Sequence, residues 1–152
     1  MSRNYIAATS DGSRGVFGGG QAPSPANIID YITISTPGNA TDFGDLTQAR
    51  AGLGATSDGS RGVFGGGANP ANVNTIDYIT IAIPGNATDF GDLTKTGWRN
   101  SATSDGSRGV FGSVYFGNPN TIDYITIATP GNATDFGDLS QGRYYPAAAS
   151  GD

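Results

Sequence analysis

Residues 57–67 read SDGSRGVFGGG, residues 10–20 read the same, and residues 104–114 read SDGSRGVFGSV. Two further phrases recur outward from this one. IDYITI begins at 29, 76 and 122, and GNATDFGDL begins at 38, 85 and 131. The copies stand 47 residues apart, and the last interval shortens to 46 after the third GVFG. A period of this length points to repeats that stack or radiate, each burying a face against the next.

Composition decides what each repeat is made of. The chain has 152 residues, with no Glu, His or Cys, a single Lys and four Leu. Residues that enter helices at least cost are therefore scarce. Ile, Thr, Tyr, Phe and Val supply the apolar surface and favour pleated structure. The 25 Gly and 8 Pro fall between these runs rather than in one cluster. We read one all-β domain over 1–152, with repeats at about 3–49, 50–96 and 97–142 and a partial first strand at 143–152. A net charge of −5 argues against nucleic acid. No apolar run reaches spanning length, and MSRNYIAATS lacks an apolar signal stretch, so neither membrane insertion nor a signal peptide is expected. Without Cys there are no disulfides or thiolate metal sites.

Each repeat parses into four short strands. In the second copy the first is GLGATS, ending at a hairpin turn read at Asp58-Gly59, and the second is SRGVFGG. The third, NTIDYITIA, puts Ile76, Tyr78 and Thr80 on one face and Ile79 and Ile81 on the other. A turn read at Pro84-Gly85, with Gly in the left-handed region, leads to the fourth, ATDFGDL. Apolar residues on both faces of the third strand require cover on both sides.

The order "R…GVFGGG…NTIDYITI…NATDFGDL" resembles a kelch-type propeller blade. Gly18-Gly19 and Gly65-Gly66 close the second strand, Tyr31, Tyr78 and Tyr124 lie in the third, and Phe43, Phe90 and Phe136 in the fourth. Kelch repeats usually carry tryptophan at the last position, so the pattern is kelch-like. The wording is also similar to repeats in virion structural proteins of bacteriophages, including those infecting marine cyanobacteria. The resemblance implies a β-propeller fold and a place in the phage particle.

Propellers generally have four to eight blades, and three leave two bare blade faces. About 400 Å² of apolar surface at each seam represents roughly 10 kcal/mol of gross burial. Two chains would close two seams against a single association cost of ~4–15 kcal/mol. We therefore expect a homodimer closing a six-bladed ring. The tail complicates the count, because RYYPAAAS at 143–150 aligns with RNYIAATS at 3–10 and supplies a fourth first strand. Pro146 cannot donate to a ladder, which makes this copy the expected edge or outlier.

Several motifs invite chemistry. GVFGGG lacks the Gly-Lys-Ser/Thr ending of a phosphate loop and reads as close backbone packing. Asp42, Asp45, Asp89, Asp92, Asp135 and Asp138 repeat threefold, whereas a glycosidase pair is needed once. We expect them to pair with Arg14, Arg61 and Arg108 or to accept from turn amides. DGSRG lacks the alternating ligands of a calcium loop. Asn-Ala-Thr at 39, 86 and 132 matches the glycosylation pattern but reads as turn chemistry. With no His, no Cys and no serine beside a plausible base, enzymatic activity, cofactor and metal are not expected.

What differs among copies is more informative. The loops after the second strand read QAPSPANI, ANPANVNT and SVYFGNPNT, and the links between repeats read TQARAGLG, TKTGWRNS and SQGRYYPA. In an antiparallel blade both kinds of connection leave from the same end, so the divergence gathers on one side. Trp98, Tyr115, Phe116, Asn118, Tyr144 and Tyr145 are the candidate binding residues there. Some of these rings, Tyr144 above all, could instead fill an inter-chain seam.

Three functions follow. The first is a non-enzymatic virion or tail-associated protein that uses this face to attach to host-surface glycan or to another virion protein. The second is a purely structural protein that polymerises head to tail. The third is a cellular propeller lectin or adaptor.

Overall fold

The computed structural model describes residues 2–112, 120–142 and 146–149, and among these there is no helix. Strands β1 (Ala7–Ser10), β2 (Arg14–Gly18), β3 (Ile28–Thr33) and β4 (Thr41–Asp45) form the first sheet. β5 (Gly54–Ser57) and β6 (Arg61–Gly65) open the second. A small ribbon of β7 (Ala68–Asn69) and β8 (Ala71–Asn72) interrupts it before β9 (Thr75–Thr80) and β10 (Thr88–Asp92) complete it. The third sheet is β11 (Ser101–Ser104), β12 (Arg108–Gly112), β13 (Thr121–Thr126) and β14 (Thr134–Asp138). All three are four-stranded antiparallel sheets with consecutive strands paired, as the parse into blades expects.

The turns differ from expectation in two places. The first hairpin turns on Gly59-Ser60, since Asp58 N–H donates to Arg61 C=O at 3.3 Å and Gly59 carries the positive φ, +84°. Asp58 serves as a cap instead, its Oδ1 accepting from the amides of Ser60 (2.8 Å) and Arg61 (2.7 Å). At the next turn Ile83 N–H donates to Thr80 C=O, so the chain reverses at Ile81-Ala82, ahead of Pro84-Gly85. Gly85 is not left-handed there. The glycine that needs unusual backbone lies in the fourth strand, where Gly91 (φ +140°) follows a bulge that lets β10 skip Phe90 in its pairing with β9.

The core lies between sheets. In the first seam Val16, Ile29, Phe43 and Leu46 of the first sheet pack on Leu53, Phe64, Ile79 and Ile81 of the second. In the second seam Val63, Ile76, Phe90 and Leu93 pack on Phe111, Ile125 and Ile127 of the third. These are equivalent positions one repeat apart. The middle sheet is thus covered on both faces, with Ile76 and Tyr78 facing forward and Ile79 and Ile81 facing back. The first strands also lie side by side, β1 next to β5 and β5 next to β11.

Glycine sets the spacing of the seams. A Cβ on Gly18 would stand 2.8 Å from the Phe64 ring, and one on Gly65 would stand 2.6 Å from Phe111. At the bulge, a Cβ on Gly44 would lie 2.4 Å from the carbonyl oxygen of Gly85, and one on Gly91 would lie 2.5 Å from that of Gly131. The first and second sheets each carry glycines where the following sheet pushes a ring or a turn against the backbone.

Candidate functional site: the end faces and the connection face

Polar contacts repeat across the two seams as faithfully as the apolar ones. Arg14 Nη1 donates to Ile81 C=O (2.8 Å) and Arg61 Nη1 to Ile127 C=O (2.7 Å). Thr47 Oγ1 donates to Asp77 Oδ1 and Thr94 Oγ1 to Asp123 Oδ1, both at 2.6 Å, while each threonine amide reaches the other carboxylate oxygen. The Asp45 and Asp92 amides donate to Asn86 Oδ1 (3.0 Å) and Asn132 Oδ1 (3.1 Å). Ser57 Oγ donates to Ser10 C=O and Ser104 Oγ to Ser57 C=O, both at 2.7 Å.

The two outer faces carry residues equivalent to those that meet in the inner seams. On the third sheet, Arg108 is stacked 4.7 Å over Tyr124, as Arg61 is stacked 4.5 Å over Tyr78, but among the described residues no neighbouring sheet supplies the carbonyl. Ser140 stands where Thr47 and Thr94 stand. Phe136 is 54% exposed, although Phe43 and Phe90 are each 3% exposed. A Cβ on Gly137 would meet nothing within 4 Å, and one on Gly112 would approach only the Ser101 hydroxyl. On the first sheet, Ile34 is 52% exposed, whereas its equivalents Ile81 and Ile127 are fully buried. Phe17 is half-buried at the place of Phe64 and Phe111, and Asn39 is exposed at the place of Asn86 and Asn132. Among the described residues, the groups named on one face are complemented by those named on the other.

The connection face carries the second feature. The loops after β2 and β6 and the links between sheets do share one side: Gly20 N–H donates to Arg50 C=O, Arg50 N–H to Ala26 C=O, and Gly97 N–H to Val73 C=O. Just before each first strand, one position has a positive φ in all three copies: Tyr5 (56°), Gly52 (72°) and Arg99 (65°). Glycine adopts this readily, whereas Tyr and Arg do so at a cost of roughly 1–2 kcal/mol. A side chain on Gly52 would collide with Trp98, the hypothetical Cβ lying 2.1 Å from the indole Cδ1. The bare backbone of the second copy lets Tyr5 of the first meet Trp98 and Arg99 of the third. The Arg99 guanidinium lies 3.9 Å over Trp98 and 4.7 Å over Tyr5, and its Nη2 donates to Tyr5 Oη at 3.1 Å. Tyr5 and Trp98 meet edge to face at 5.5 Å. Tyr5 is 43% exposed while Trp98 and Arg99 are half-buried, so the cluster reaches the surface chiefly through the tyrosine ring, with the guanidinium packed on both rings.

Of the sequence-predicted binding residues, Trp98 belongs to this cluster. Tyr115, Phe116, Asn118, Tyr144 and Tyr145 lie outside the described residues. Sequence reasoning missed Tyr5 and Arg99, and their signal was the alignment of Tyr5, Gly52 and Arg99 at one repeat position. The expected pairing of Arg14, Arg61 and Arg108 with the fourth-strand aspartates is not found. Arg14 and Arg61 reach across the seam to backbone carbonyls, and Arg108 stacks on Tyr124. Asp135 Oδ1 accepts from the Gly137 amide at 3.1 Å, but that amide lies within β14 and not in a turn.

Among the described residues the ion pairs use third-strand aspartates: Arg3 with Asp30, and Arg50 with Asp77 at 3.0 Å. Arg50 and Asp77 are both fully buried. Burial pulls the Arg50 pKa below its ordinary value and the Asp77 carboxylate opposes this, yet arginine keeps its charge. Arg50 Nη2 also donates to Phe64 C=O at 3.2 Å, tying the link between sheets to the strand beneath it. The third copy has Gly97 at the arginine position, and there the Asn100 amide reaches the Gly65 and Gly97 carbonyls.

No protein-family model matches this chain, and a search of curated proteins finds no match.

Proposed function

We propose that this chain is a non-enzymatic structural protein that assembles end to end with copies of itself and presents its connection face to a partner. The observation that carries this reading is the third seam divided between the two outer faces. Two copies placed head to tail would give Arg108 the Ile34 carbonyl and Ser140 the Asp30 carboxylate. The same placement gives the Asp138 amide the Asn39 side chain, and seats Phe17 over Gly112 as Phe64 sits over Gly18. Such a contact is heterologous, so it closes where the rotation permits and otherwise runs on as a filament. Closure by two copies would give a six-bladed, kelch-like propeller ring. The repeat wording places our reading on a phage particle, with the Tyr5–Arg99–Trp98 cluster turned toward host glycan or a neighbouring virion protein.

Solution mass by light scattering tests the assembly. A mass of about twice 15.4 kDa, or a larger multiple, is expected, and a monomer at every concentration would overturn the reading. A Phe17→Arg variant should stay monomeric and folded. For the cluster, a Trp98→Ala variant should keep the assembled mass and lose binding on a glycan array. Loss of assembly instead would make Trp98 part of the scaffold.

A further inference from the structure

The C-terminal segment points to a device that acts on this assembly. Residues 143–150, RYYPAAAS, repeat the first-strand wording of residues 3–10. Thr103 Oγ1 in β11 donates to the Ala149 carbonyl at 2.7 Å, which sets the described part, Pro146–Ala149, beside the third sheet's first strand. Pro146, Ala147 and Ala148 roof an apolar cavity of about 270 Å³ whose floor includes Val110, Gly112, Ile122 and Leu139. Those floor residues belong to the outer face of the third sheet. Their equivalents in the inner seams lie under Phe64 and Phe111.

We infer that Pro146–Ala149 is an internal competitor that occupies the seat a second copy's first strand needs. The inference rests on the end-to-end reading above. First strands of neighbouring sheets lie side by side, so an incoming copy must set its β1 against β11, where the segment already lies. That β1 arrives firmly held in its own sheet. Its four residues pair with β2, and Arg3 Nη1 just ahead of it donates to Gly19 C=O (2.7 Å) and Ile28 C=O (2.9 Å). The segment is held more lightly, because Pro146 has no N–H to offer and Ala147, Ala148 and Ala149 are exposed. The incoming strand therefore displaces the segment, and Phe17 of the second copy fills the cavity beneath it. Association of the full chain is weakened by the free energy of lifting the segment, as for any binding-competent state that is only partly populated.

The test compares the full chain with a chain ending at Gly142 by sedimentation across a concentration series. Every sheet lies within residues 2–142, and far-UV circular dichroism checks that the shorter chain folds. The shorter chain should associate at a concentration about tenfold or more below that of the full chain. A full-length Pro146→Arg variant, which sets a charge against the apolar floor, should shift association the same way and keeps the test alive should truncation impair folding. Equal association of all three would overturn the inference while leaving end-to-end assembly intact. Loss of association on truncation would overturn it too, by making the segment the bridging strand. Failure of every form to associate would bring down the assembly reading, and this inference with it.

Discussion

Gly65 and Gly112 hold the same place in successive copies, yet only Gly65 has a phenylalanine ring against it. The same contrast runs through Phe90 and Phe136, Gly91 and Gly137, and Ile81 and Ile34. The inner seams and the outer faces share most of their residues, and among the described residues they differ chiefly in whether a neighbouring sheet is present. On the outer faces a glycine stands where nothing crowds it, and an isoleucine stands where water reaches it. The end-to-end assembly proposed above would give both of them a neighbour.

Substitutions at paired positions can break or sharpen this contrast. The largest effect should come from Phe64→Ala, which empties the middle of the first seam and should cost about 3–5 kcal/mol in urea unfolding. Phe17→Ala should cost under about 1 kcal/mol in the monomer and should instead weaken association. Similar losses from both would erase the distinction. Next, Arg50→Ala strands the buried Asp77 carboxylate and should cost roughly 3–5 kcal/mol. Arg3→Ala should cost less, since the side chain of Asp30 is 30% exposed. A smaller effect is expected of Gly65→Ala, whose new methyl presses on the Phe111 ring, at about 1–3 kcal/mol. Gly112→Ala should leave monomer stability unchanged and lower the association constant. Equal shifts in melting temperature for these two variants would mean that crowding does not set the seam spacing.

The smallest effect concerns pH. Asp105 Oδ1 accepts from the amides of Arg108 and Ser107 and from the Ser107 hydroxyl, which holds its pKa down at about 2 from an ordinary 3.8. A carboxylate with a depressed folded pKa stabilises the fold above its unfolded value. That contribution is lost as the pH falls from near 3.8 through about 2. Carboxyl-carbon titration by nuclear magnetic resonance should find the Asp105 midpoint there, and the Asp105→Asn variant should lose this acid dependence. The Asp11 carboxylate is lowered in the same sense by the Arg14 amide.

Much of this was readable from residues alone. Alternation in IDYITI assigned Ile76 and Tyr78 to one face and Ile79 and Ile81 to the other, because side chains in a strand alternate regardless of what lies beyond them. Turn chemistry was less legible. Pro84-Gly85 has the composition of a reversal, but the chain reverses just ahead of it and leaves the Gly85 carbonyl to dock on Gly44 of the preceding sheet. The arginines were misread for a related reason: the partner of Arg14 is a backbone carbonyl 67 positions away, which no side-chain inventory contains.

The sequence by itself determined the strands, their order and the apolar cover on both faces, since these depend on local propensity and on a period of two. Only the tertiary structure decided what each face meets. Whether Thr47 finds Asp77, or Arg99 lies over both Trp98 and Tyr5, depends on how one sheet is set against the next. That setting comes from glycine-permitted close approach summed over a whole seam, and no single stretch of the chain contains it.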